Sequence, residues 1–154
     1  MSSIFERDFL LRSIKQFVEL LARALKLGSA QKKDEAIQVL EAGCLSILGI
    51  DYRELTFVDS SSAANLLGSA HKILLFAKLL DGMRQVAEAA GDEASARSKA
   101  QYACEITLEL LKRYPNNEEA AGLLQTLAPK LDAQLLPERY RAQFDKATAL
   151  SALH

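Results

Sequence analysis

The sequence has few of the side chains on which chemistry is built. Its 154 residues include two cysteines and two histidines, and the formal net charge is −1. Cys44 and Cys104 cannot make a disulfide framework and sit within apolar helical stripes, where reduced thiols behave as small hydrophobes. Acidic and basic residues stay nearly balanced along the whole chain, so no segment offers the clustered Lys and Arg that a phosphate backbone requires, and nucleic acid is disfavoured as a partner. No apolar run approaches the ~20 residues of a membrane span. The opening Met1-Ser-Ser-Ile-Phe-Glu-Arg-Asp is too acidic, and charged too early, for a secretory signal. These features lead us to expect a cytoplasmic protein.

What the sequence has is helical periodicity. At 154 residues, 49% apolar and 25% charged, it suits one globular domain spanning 1–154. Leu10, Ile14, Phe17, Leu21 and Leu25, widened by Val18 and Leu20, predict a helix over about Ile4–Leu27 that buries this stripe. Gly28 suits the left-handed position past its end, and Ser29 or Asp34 the cap of a second helix carrying Ile37, Leu40, Cys44, Ile47 and Leu48. Gly49-Ile50 then reads as a stop, with Ile50 set to touch Leu45. Residues 4–49 should form an antiparallel hairpin.

Tyr52-Arg-Glu-Leu-Thr-Phe-Val-Asp is rich in β-favouring residues but has no partner strand, so it reads as a connector with Leu55, Phe57 and Val58 tucked onto the core. Asp59-Ser60-Ser61-Ser62 supplies capping residues for a short helix, Ala63–Leu67, ended by Gly68. The longest patterned stretch follows, with helices over Ser69–Ala90 and Asp92–Tyr114 joined at Gly91. Ile73, Phe76, Leu80, Met83 and Ala87, backed by Leu75, Leu79 and Val86, make the first of these apolar nearly all round, which predicts a central helix covered on two flanks. Gly82 within it weakens the helix by about 1 kcal/mol unless a neighbouring helix approaches closely there. Asn116 with Glu119 resembles a capping box for a helix over Glu118–Leu127. A turn around Leu131–Leu136 leads to Pro137, which suits the first turn of a last helix carrying Tyr140, Phe144 and Ala147, with a fraying tail at Leu150–His154. The predicted fold is all-α: a hairpin over 4–49, repeat-like helices over 69–128 and a C-terminal helix within 129–154, arranged as an array or bundle of about six helices.

The turn at Gly91-Asp92, the alanines that follow it and the closing Tyr114-Pro115-Asn116-Asn117 resemble tetratricopeptide repeats over about residues 70–128. The second helix is a turn or two longer than that family's, and the bulky aromatic positions of its first helix are mostly missing. In addition, Glu6-Arg-Asp-Phe-Leu-Leu-Arg-Ser-Ile-Lys-Gln-Phe-Val-Glu-Leu-Leu-Ala-Arg-Ala-Leu, followed by Asp34-Glu-Ala-Ile-Gln-Val-Leu-Glu-Ala-Gly-Cys-Leu-Ser-Ile-Leu-Gly-Ile-Asp, is similar to an uncharacterised bacterial helical family of unknown function. That resemblance implies a bacterial cytoplasmic helical array with no activity or functional residues to carry over.

No catalytic, cofactor or metal motif emerges. His71 has no Cys, Asp or Glu three or four residues away with which to make a helical ligand pair. The cysteines have apolar neighbours rather than a base. Asp59–Ser62 could cradle an anion, but it lacks the glycines and lysine of a phosphate loop and reads as plain capping. The first helix mixes Arg7, Arg12, Lys15, Arg23 and Lys26 with Glu6, Asp8 and Glu19, which suits the outside of a bundle or a dimer interface better than a membrane surface. The expectation is therefore a non-enzymatic scaffold that binds a protein or peptide, without cofactor, and the alternatives are a homo-oligomer and an enzyme with a scattered site. If first helices line a concave face, the exposed candidates are Arg12, Gln16 and Glu19 on one helix and Lys72, Lys78, Arg84 and Gln85 on another, Lys78 and Arg84 foremost.

Overall fold

The computed structural model describes residues 2–152, and the side chains of residues 7–149. Among the described residues the chain is helical with no strand. The elements are α1 (Ser2–Ser29), α2 (Lys33–Gly43) running on into a π turn (Cys44–Leu48), α3 (Tyr52–Phe57), α4 (Ser60–Leu67), α5 (Ala70–Ala89), α6 (Glu93–Arg113), α7 (Glu118–Leu127), two 3-10 turns (Ala128–Lys130 and Ala133–Leu135) and α8 (Glu138–Ala152). Among the described residues there are thus eight α-helices rather than about six; the short α4 falls on the short helix expected at Ala63–Leu67, and α3 replaces an expected connector. Of the expected frayed tail at Leu150–His154, only the helical backbone to Ala152 falls within the described residues.

The core is built around α5. Ile73, Phe76, Leu79, Leu80, Met83 and Val86 are all buried, as an almost wholly apolar helix requires. α1 lies parallel to α5: Phe9 reaches His71 and Lys72 near its start, Leu21 packs at Gly82, and Gly28 abuts Val86 at its end. α2 returns antiparallel between them, with Leu40 near Gly82 and Gly43 against Leu20. The expected close approach at Gly82 is thus present.

α6 runs back along the other flank of α5, where Phe76 and Tyr102 meet edge to face with ring centroids 5.7 Å apart. The reversal between them is a Schellman closure. Asp92 N–H donates to Ala87 O (2.9 Å) and Gly91 N–H to Glu88 O (3.1 Å), with Gly91 at φ +78°. Asp92 is also the cap of α6, its Oδ1 accepting from Ser95 N–H, and its Oδ2 lies 2.8 Å from Lys33 Nζ. One residue thereby ends a helix, starts another and fastens the α1–α2 hairpin to both.

A smaller apolar cluster of Cys104, Leu108, Leu124, Leu136, Tyr140 and Phe144 holds α8 against α6 and α7. Tyr140 Oη donates to the buried Glu109 at 2.6 Å, and Gln143 Nε2 donates to Leu108 O at 2.7 Å.

Several local expectations are corrected. α1 continues through Gly28, and the left-handed residue is Gln31 (φ +63°), because Gly28 is placed for contact with Val86 rather than for a turn. Neither Ser29 nor Asp34 caps α2: Lys32 stands at that position, and Ser29 Oγ bonds back to Lys26 O. The cap of α7 is Asn117, whose side chain accepts from Ala120 N–H, one residue later than the Asn116 box. The β-favouring stretch at 52–57 is a helix, capped by Asp51 accepting from Arg53 N–H. It buries Tyr52 and Leu55 but leaves Phe57 90% exposed, since six residues provide a single inward face.

Candidate functional site

The seven residues singled out from the sequence lie in different surroundings and do not converge. Arg12, Gln16 and Glu19 are exposed along α1. Lys72 is half-buried with its ammonium 5.9 Å from the centre of the Phe9 ring, and Lys78 pairs with Glu119 of α7 at 3.0 Å. Gln85 Nε2 donates to Asp81 Oδ2 at 3.0 Å.

Arg84 is not a surface cation. It is 6% exposed, its Nε donates to Asp81 Oδ1 at 2.7 Å, and it also pairs with Glu88, which Lys130 reaches from beyond α7. Asp81 is buried as well, so the pair carries its own charge compensation into the α5 flank. The spacing of Asp81, Arg84 and Glu88 at three and four residues was visible in the sequence and is the signal of an intrahelical ion ladder.

The feature that sequence reasoning misassigned lies on α1. Leu11 is 57% exposed, Ile14 42% and Val18 58%, although Ile14 and Val18 had the spacing of a buried stripe. The inward face is instead Ser13, Phe17 and Ala24, with Leu20 turned to α2 and Leu21 to α5. At 100° per residue, the Leu11–Ile14–Val18 row stands beyond the α5 contact and away from α2. It was hidden by its own breadth: apolar residues cover more of α1 than its neighbours can occupy.

Concavities of the described residues lie away from this row. An open groove of about 800 Å³ runs between α1 and α2, floored by Leu20, Leu27 and Val39 and edged by Arg23, Lys26 and Glu35. A polar recess of about 370 Å³ lies where α4, α6 and α8 meet, between Ser60, Tyr102, Glu105 and Arg139. In the recess Ser60 Oγ donates to Glu105 Oε1 at 2.7 Å. Burial raises the Glu105 carboxyl above the usual range; Ser60 and Arg139 oppose the rise and Glu109 adds to it. Asp59 is held low by the N–H and hydroxyl of Ser62, as a helix cap should be, so the capping reading of Asp59–Ser62 fits the geometry.

Burial pushes both thiols up to about 12, which keeps Cys44 and Cys104 protonated and poor as nucleophiles. His71 is engaged edge to face with Phe9, ring centroids 6.4 Å apart. Among the described residues no group of three or more His, Cys, Asp or Glu is placed to hold a metal ion, and no helix is long and apolar enough to cross a membrane. No protein-family model matches the chain, and neither a curated protein nor a solved structure matches it.

Proposed function

We propose that this chain is a non-enzymatic protein–protein interaction scaffold of bacterial cytoplasm, built as a tetratricopeptide-like array in which α1 and α2, then α5 and α6, are successive helix pairs and α7 opens a third. The parallel course of α1 and α5, the antiparallel return of α2 and α6, and the glycines at their crossings support this reading. In this reading α3 and α4 are an insertion between the first two pairs.

The observation that carries the interaction reading is the row of large apolar side chains left on α1 beside a closed core. Next to it α5 presents Lys78 and Gln85, half-buried and held in place by Glu119 and Asp81. A partner peptide or helix laid along α5 would find apolar contacts on one side and fixed polar groups on the other. The experiment is site-specific photo-crosslinking in the source cells from position 85. A covalent adduct with another protein is expected there and not from the exposed position 145 of α8; equal labelling from both positions would overturn the reading.

A homo-oligomer is the second reading, favoured by the same α1 row.

A further inference from the structure

The exposed Leu11, Ile14 and Val18 are continued by half-buried Leu21 and Leu25, giving five apolar residues at alternating steps of three and four along one line of α1. That spacing is the seam along which two helices pair. Beside the seam, on its solvent edge, stand Asp8, Arg12, Lys15, Glu19, Ala22 and Lys26, all exposed. Arg12 and the uncharged Ala22 hold mirrored places in that row, and the other four are Asp8, Lys15, Glu19 and Lys26. Among the described residues none of the four is ion-paired within the chain. Their signs run minus, plus, minus, plus. Read from the opposite end with every sign reversed, the order is the same, and the spacings of seven, four and seven residues are symmetric too.

We propose that α1 pairs antiparallel with α1 of a second copy of this chain, about a two-fold axis near Gln16–Phe17. Pairing the seams places Ile14 against the partner's Val18 and Leu11 against the partner's Leu21. A two-fold axis brings the same edge of both helices together, so Asp8 comes opposite the partner's Lys26 and Lys15 opposite the partner's Glu19. Antiparallel helix dipoles add to the attraction. A self-complementary patch of this kind is what a closed two-fold interface requires. A second copy answers this edge at both of its charge pairs, and that singles it out from a partner of unknown sequence. The proposal rests on the interaction reading above, but it names the partner and the face.

The test is sedimentation equilibrium of the full chain, wild type against variants whose thermal midpoint is checked by circular dichroism. Wild type should be a reversible dimer. Val18→Glu should weaken it about a hundredfold or more, with the midpoint unchanged at concentrations where wild type too is monomeric, since the site is solvent-exposed in the monomer. Lys15→Glu should weaken it about fivefold, and Lys15→Glu/Glu19→Lys should restore it. Orientation is read by oxidative crosslinking. A mixture of Ile14→Cys and Val18→Cys chains should form the mixed disulfide faster than either chain forms its own. A monomer at every accessible concentration overturns the proposal, and so does faster self-crosslinking of Ile14→Cys. Position-85 adducts that persist in a monomeric wild type would leave the scaffold reading standing while the dimer falls.

Discussion

A methyl group on Gly82 would lie 2.7 Å from Cδ1 of Leu21, so the distance between α5 and α1 is set by a side chain that position 82 does not have. Gly82→Ala should therefore forfeit the ordinary helical gain of alanine and destabilise by about 1 kcal/mol. Shortening the obstacle with Leu21→Val should recover part of that loss, giving a non-additive double mutant in urea unfolding. Gly122, on the exposed face of α7 with nothing within 4 Å of a Cβ, is the counterpart: Gly122→Ala should stabilise by about 0.5–1 kcal/mol. At Gly43, where a Cβ would overlap the end of Leu20, alanine should be the worst of the three.

The Asp81–Arg84 pair predicts an order of damage. Arg84→Ala strands a buried carboxylate and should destabilise by about 3 kcal/mol. Asp81→Asn/Arg84→Met, which removes both charges and keeps the volume, should destabilise less, and chemical unfolding of the three proteins checks the ranking. Arg84→Glu would place three acids on one face within two turns and is a probe of folding rather than of binding.

Two carboxylates should make opposite contributions to stability as pH changes. Asp92 is held low by the Lys33 ammonium and by Ser95 N–H. Its contribution is present above the unfolded-state value and is lost as pH falls through the lower folded value. Glu105 is raised by burial, so its ionisation opposes folding, and stability is lost as pH rises through its folded value. Glu105→Gln keeps an acceptor for Ser60 and should raise the neutral-pH melting temperature by a few degrees at most, the gain vanishing in acid. Asp92→Asn should lower it at neutral pH and match wild type in acid. Melting curves taken from pH 3 to 8 separate the two.

The thiols predict kinetic silence. With Cys44 and Cys104 buried and their pKa values near 12, alkylation of the native protein at neutral pH should be slower than in denaturant by orders of magnitude and should accelerate with any local opening. Rapid modification of either cysteine without unfolding would contradict the burial of the π turn after α2 or of α6.

The sequence was most informative where one physical signal dominated. α5 and α6 are long, periodic and punctuated by Gly91, and both were legible to within about a residue. α3 was not: Tyr52, Thr56, Phe57 and Val58 carry β preference, and contacts from elsewhere override it, with Lys99 bonding Tyr52 Oη and Tyr102 bonding Leu55 O. The candidate site was less legible than the fold. Periodicity shows that a face is apolar but not which neighbour covers it, so Ile14 and Val18 could not be told from Phe17. Arg84 failed for the converse reason, since a charged residue on a central helix looks exposed until its partners are placed.

The parallel course of α1 and α5 has a consequence during synthesis. Leu21 meets Gly82, about 60 residues further along, so at roughly 5–20 residues per second α1 waits several seconds for its partner. The neighbour that arrives sooner, α2, covers only one side. Until α5 leaves the ribosome, Phe17 and Leu21 are as uncovered as Leu11 and Val18, and the nascent chain carries a helix that is sticky over most of its circumference.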